Sequence, residues 1–78
     1  MMEVDISIII DNVLFLCEKK GIKPRDLSTH TSLSAIIINN LLKGRNVSIA
    51  TLAILAHYFC VTIEYLVTKH NVEDVQDA

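Results

Sequence analysis

Residues Lys19 to Arg45 read KKGIKPRDLSTHTSLSAIIINNLLKGR, and this stretch decides the fold. Gly21 stops a preceding helix. Pro24, the only proline, has the fixed φ and missing N–H that suit a first helical position, so a second helix of about two turns opens with Pro24, Arg25, Asp26, Leu27 and Ser28. Asp26 falls near the positive end of that helix's dipole. The hydroxyls in Thr31-Ser32-Leu33-Ser34 compete with helical hydrogen bonding, and Ser34 is a natural N-cap for a third helix over Ala35–Lys43. Gly44 is placed to end it in a left-handed cap. The segment therefore reads as two short helices joined by a tight turn.

The flanks are helical too. Ile6, Ile9, Ile10, Val13, Leu16 and Cys17 recur at helical spacing, which predicts a first helix over Ile6–Lys20. Its opening is less determined, because Val4, Ile6 and Ile8 also alternate as in a strand. Ser48 can cap a fourth helix over Ile49–Phe59 with Leu52, Leu55, Ala56 and Phe59 on its buried stripe. Thr62 can cap a fifth that carries Ile63, Leu66 and Val67. Five short helices with no credible strand pair give an all-α fold in one domain, residues 1–70. Residues 71–78 are acidic and nearly free of apolar side chains, and a mobile tail is expected there.

A 78-residue chain buries only about 60% of its unfolded surface, so it needs dense apolar usage, a partner or staples. Apolar usage is present, at 51% of residues with only two Gly. Cys17 and Cys60 stand alone among apolar neighbours, without ligand spacing or a signal peptide, and both read as core hydrophobes in a reduced, cytoplasmic setting. The uncharged run Val47–Ile63 contains Ser48, Thr51, His57 and Thr62 and falls short of the roughly 20 apolar residues of a membrane span. A buried amphipathic helix is expected instead. No glycine-rich phosphate loop, nucleophile motif or metal spacing is present, and His30, His57 and His70 have no carboxylate at triad spacing. Neither an enzyme nor a cofactor is expected.

The formal net charge of −2 hides a segregation. Lys19, Lys20, Lys23, Arg25, Lys43 and Arg45 face one acid, Asp26, within the opening stretch, whereas elsewhere eight acids outnumber Lys69. Screening acts beyond about 8 Å, so a phosphate backbone would sense the local positive charge rather than the total. On the third helix, Ser34, Ile37, Ile38, Leu41 and Leu42 fall on one side, read as core. Ile36, Asn39, Asn40 and Lys43 fall on the other. Two amides and an isoleucine suit base edges, since Asn pairs with adenine N6 and N7 and an alkyl group meets a thymine methyl. Lys23, Arg25, Lys43 and Arg45 suit phosphates, with Asn46 as a neutral donor.

The ordered set Gly21-Ile22-Lys23-Pro24-Arg25-Asp26-Leu27 to Ser34, Ile38, Leu41-Leu42-Lys43-Gly44-Arg45, Thr51-Leu52, Leu55-Ala56, Val61 and Tyr65-Leu66 resembles the phage repressor and Cro-type helix-turn-helix family, also called the Xre family. The likeness spans residues 9–68. It implies a five-helix repressor-like domain that binds operator DNA as a homodimer, without catalysis. By position, Ala35, Ile36 and Asn40 fall where family members contact bases, with Asn39 beside them. Pro24, Ile37, Lys43 and Arg45 fall at or near family positions for phosphate or groove-edge contacts, and Lys23, Arg25, Ser34 and Asn46 complete the expected phosphate-contacting set.

Four departures qualify the resemblance. Pro24 replaces a phosphate-holding Gln, and Ser32 stands where a small Gly commonly fills the turn, so strain or a different backbone shape is expected there. Cys17 and Leu42 replace an Arg–Glu bridge together, which avoids an unpaired buried charge. Ile36 and Ile37 stand where polar side chains are usual, which favours protein contact.

Two functions are therefore expected in competition. One is a dimeric, sequence-specific DNA-binding regulator that reads the major groove of double-stranded DNA with its third helix. The other is the same fold used as a protein-binding module, an antirepressor or antitoxin-like adaptor. Tyr58, Ile63 and Val67 are the candidate dimer residues, because the last two helices carry more apolar groups than one small core needs.

Overall fold

The computed structural model describes residues 5–45 and 47–70. The chain is all-α: α1 (Ile6–Lys20), a 3-10 turn (Pro24–Asp26), α2 (Leu27–His30), α3 (Ala35–Leu42), α4 (Ile49–Phe59) and α5 (Ile63–Val67). No strand forms among the described residues, so the alternating reading of the first residues gives way to a helix capped by Asp5. The second helix is tighter than its sequence suggests. Pro24 opens a 3-10 turn, and a single α-helical turn follows.

Four of the five α-helices start at a polar cap; α2 instead continues from the 3-10 turn, with no side-chain cap. The Asp5 carboxylate accepts from the Ser7 N–H at 2.9 Å, and the hydroxyls of Ser34, Ser48 and Thr62 accept from Ile37, Thr51 and Tyr65 at 3.2, 3.1 and 3.0 Å. These bonds satisfy N–H groups that have no partner inside their own helices.

Three helices end in one way. The Ile22 N–H donates to the Cys17 carbonyl, Arg45 to Asn40 and Val61 to Ala56, while Gly21, Gly44 and Cys60 donate to Glu18, Leu41 and His57. Each pair forms a Schellman motif, which needs a left-handed residue at the exit. Gly21 and Gly44 supply it at φ 74° and 79°. At the end of α4 it is Cys60, at φ 61°, the only non-glycine with positive φ among the described residues. Ser32 does not adopt that region, so the strain expected in the turn is absent. The turn is held by Thr31, whose hydroxyl donates to the Leu27 carbonyl at 2.6 Å and accepts from the Leu33 N–H at 3.1 Å.

The core gathers Ile9, Val13, Cys17, Leu27, Leu33, Ile38, Leu41, Leu52, Leu55, Ala56, Phe59 and Leu66. Burying one such leucine or isoleucine stabilises by about 1.5–3 kcal/mol, so these stripes drive the docking of helices too short to persist alone. α1 packs along α5, while the 3-10 turn, α2 and α1 support α3. Two polar side chains are buried as well, Asn12 and Thr51. The Asn12 Nδ2 donates to the carbonyls of Tyr65, Leu66 and Thr68 at 3.2, 2.8 and 2.9 Å, fastening α1 to the end of α5.

Candidate nucleic-acid interface

α3 is anchored by two residues. Ile38 and Leu41 are each about 1% exposed, and Leu42 is half-buried. Ser34 caps the start of the helix, and Lys43 is its C-cap rather than its last residue. With only that narrow stripe inward, Ala35, Ile36 and Asn39 stand in solvent and Asn40 is half-buried. Ile36 is 71% exposed. Two residues assigned inward by periodicity are corrected: Ser34 is an exposed cap, and Ile37 is 39% exposed. The core reaches this eight-residue helix through one row of side chains, and Ile37 lies at its rim.

Ile37 and Asn40 share a groove of about 200 Å³ with Val47, Ser48 and Thr51 at the start of α4. Thr51 is buried there, and its N–H and hydroxyl are both engaged with the Ser48 hydroxyl.

The cations divide into two groups. Lys43 and Arg45 are exposed on either side of Gly44 at the exit of α3. Lys23 and Arg25 are exposed at the 3-10 turn, which packs against α3, and Pro24 between them is half-buried. The Asp26 carboxylate accepts from the Lys23 backbone N–H at 3.0 Å, closing that turn and leaving the lysine side chain out of the bond. Lys19 and Lys20 close α1. Their ammonium groups lie over the rings of Phe15 and Tyr58, 5.7 and 5.1 Å from the centroids. Lys43 and Arg45 thus stand at the exit of α3, and Lys23 and Arg25 at the 3-10 turn packed against it. Asn46 and the acidic segment 71–78 lie outside the described residues.

Tyr58, Ile63 and Val67 are half-buried against the chain's own core. Tyr58 also stacks on His30 with ring centroids 6.0 Å apart. The large exposed apolar side chains are instead Leu14, Ile36, Ile37 and Ile49. Cys60 is exposed at its left-handed position, a correction to its reading as a core residue, whereas Cys17 is buried.

A cleft of about 400 Å³ brings together His30, Thr31, Ser32, Ala53, Ile54, His57 and Tyr58. Two histidines distant in sequence meet there, with no carboxylate in its lining. No group of three or more metal-ligating side chains occurs among the described residues. No described helix is long and apolar enough to cross a membrane.

Sequence reasoning did not single out Asn12. Its signal was an amide in mid-helix beside Val13 and three residues after Ile9, where a solvent-facing polar residue would not fall. Compared with known proteins, the chain matches no family model, no curated protein and no solved structure.

Proposed function

We propose that the chain is a DNA-binding regulator of the repressor and Cro type, acting as a homodimer that lays α3 in the major groove. One observation carries this reading. α3 is held by Ile38 and Leu41 and turns Ala35, Ile36, Asn39 and part of Asn40 outward, while Lys43, Arg45, Lys23 and Arg25 are exposed at its exit and its support. A helix presenting base-sized groups between cations is the arrangement that groove recognition requires, with phosphate contacts setting register and base contacts setting sequence.

Salt dependence tests the phosphate half directly. Each neutralised phosphate adds about −0.9 to the slope of log K against log salt, so four cations give about −3.6 per protomer. Fluorescence anisotropy on a random-sequence duplex measures it. A flat response removes the phosphate face and the proposal with it.

A specific observation favours a second reading. Ile36, Ile37 and Ile49 are 71%, 39% and 68% exposed, and apolar side chains standing in solvent mark contact surfaces. In that case the same fold serves as an antirepressor or antitoxin-like adaptor. Loss of a protein complex on Ile36→Glu, with no duplex bound at low salt, decides for it.

A further inference from the structure

The side chains that α3 offers are unusually restricted in chemistry. Reading outward from the cap they are Ala35, Ile36, Ile37, Asn39 and Asn40, all exposed except the half-buried Asn40. Major-groove readout has a defined vocabulary. Arg and Lys select guanine through O6 and N7, Glu and Asp accept from cytosine N4, Asn and Gln pair with adenine N6 and N7, and apolar groups contact the thymine methyl. The first two classes are missing from residues 35–40.

Hydroxyls do not discriminate. Ser34, whose oxygen accepts from the Ile37 N–H at 3.2 Å, keeps its own O–H to donate, but Ser and Thr contact either kind of base pair and select neither. Lys43 and Arg45 follow the last helical turn at a left-handed exit, whereas a recognition helix meets base edges with its N-terminal residues. What remains fits one base pair only.

From this we infer that α3 reads A·T pairs, with Ile36 seated on a thymine methyl and Asn40 or Asn39 paired to adenine. The inference rests on the DNA-binding reading above and adds the operator class: half-sites whose contacted major-groove positions are A·T. Of the two amides, Asn39 is exposed, while Asn40 is half-buried and lines a groove with Ile37, Val47, Ser48 and Thr51. Ile36, at 71% exposed, has the open surface that burial against a methyl requires.

The full-length protein is tested on duplexes selected from a random pool. In the best of these, thymines are replaced singly by deoxyuridine, which removes the methyl and keeps the pairing. Adenine–thymine pairs are replaced in parallel by inosine–cytosine, which keeps an A·T-like minor groove and presents a guanine-like major groove.

Binding should fall about fourfold at each contacted thymine, the factor expected for burying one methyl-sized group. Ile36→Ala should bind the thymine and deoxyuridine duplexes alike at one of these positions. Inosine–cytosine exchange opposite Asn40 should weaken wild-type binding about tenfold, as loss of a bidentate pair does. Selected half-sites with invariant G·C pairs at the contacted positions overturn the inference and leave the regulator reading standing. So does indifference to deoxyuridine, or binding unchanged by inosine–cytosine, since A·T preference would then come from minor-groove shape. Failure to bind any duplex at low salt overturns both readings.

Discussion

The Asn12 Nδ2 and the Leu66 carbonyl oxygen lie 2.8 Å apart, joining the middle of α1 to the last turn of α5 across 54 positions of sequence. The same amide nitrogen reaches the Tyr65 and Thr68 carbonyls. A five-residue helix closes its end with few internal bonds, so the Leu66 and Thr68 carbonyls take their donor from α1. The Tyr65 carbonyl has two more partners: the Thr68 N–H donates to it at 3.3 Å, and His70 Nε2 lies 2.9 Å away with its ring stacked on Tyr65 at 3.9 Å. Asn12 is thus the polar fastening of an otherwise apolar helix pair.

Removing that amide should be more damaging than its size suggests. Asn12→Ala and Asn12→Leu, the latter keeping the branched heavy-atom skeleton, both leave carbonyls without a donor, and each should lower stability by about 1–3 kcal/mol in urea unfolding. Wild-type stability in the leucine variant would show that the amide contributes only bulk.

Cys60 offers the opposite effect. Its φ of 61° places a Cβ where L residues crowd the following carbonyl. Cys60→Gly relieves that strain and loosens the unfolded chain, for an expected net gain of about 0.5–1 kcal/mol. The urea midpoint should rise with an unchanged slope. A lower midpoint contradicts the assignment of this residue as a strained cap.

The two thiols should also separate chemically. Burial, with the nearby Asp26 charge second, pushes the Cys17 thiol above its ordinary pKa, whereas Cys60 is exposed. Since the thiolate is the reactive form, iodoacetamide on the folded protein should give one adduct, on Cys60. Two adducts should appear only after unfolding. Rapid native labelling of Cys17 would mean that the α1 side of the core opens readily.

At the other end of α1, the cap is pH-sensitive. The Ser7 hydroxyl and then its N–H, at 2.8 and 2.9 Å, hold the Asp5 carboxyl below its usual pKa. A depressed folded pKa contributes stability above the unfolded value and loses it as pH falls through the folded one. The first turn should therefore fray below about pH 4, seen as a titrating Ser7 amide signal. Asp5→Asn keeps a capping oxygen and should abolish the titration. A Ser7 signal that ignores pH in the wild type contradicts the cap.

Much of this architecture was legible because it rests on local chemistry. Ser34, Ser48 and Thr62 announce helix starts by their hydroxyls, and Gly21 and Gly44 announce ends by their freedom at positive φ. What was not legible depends on the tertiary environment. Residues 35–38 run Ala-Ile-Ile-Ile; periodicity put Ile37 and Ile38 together on the core side, and only the packed core separates Ile37, at the rim, from Ile38, inside. Cys60 occupies a glycine's position without being one. Lys19 and Lys20 counted toward the positive segment in sequence, but only the fold shows their ammonium groups over the rings of Phe15 and Tyr58. For the candidate site, the outward side of α3 followed from the polarity of Asn39 and Asn40, while the groove joining Asn40 to the start of α4 required the fold.

The most direct measurement compares Asn40→Ala with Lys43→Ala on a selected duplex and on single-base variants of it. Asn40→Ala should relax selection at one base pair by about 1–3 kcal/mol, while Lys43→Ala weakens every sequence alike and lowers the salt slope by about 0.9. Uniform losses from both substitutions, with no position relaxed by the asparagine change, would contradict a base-reading α3.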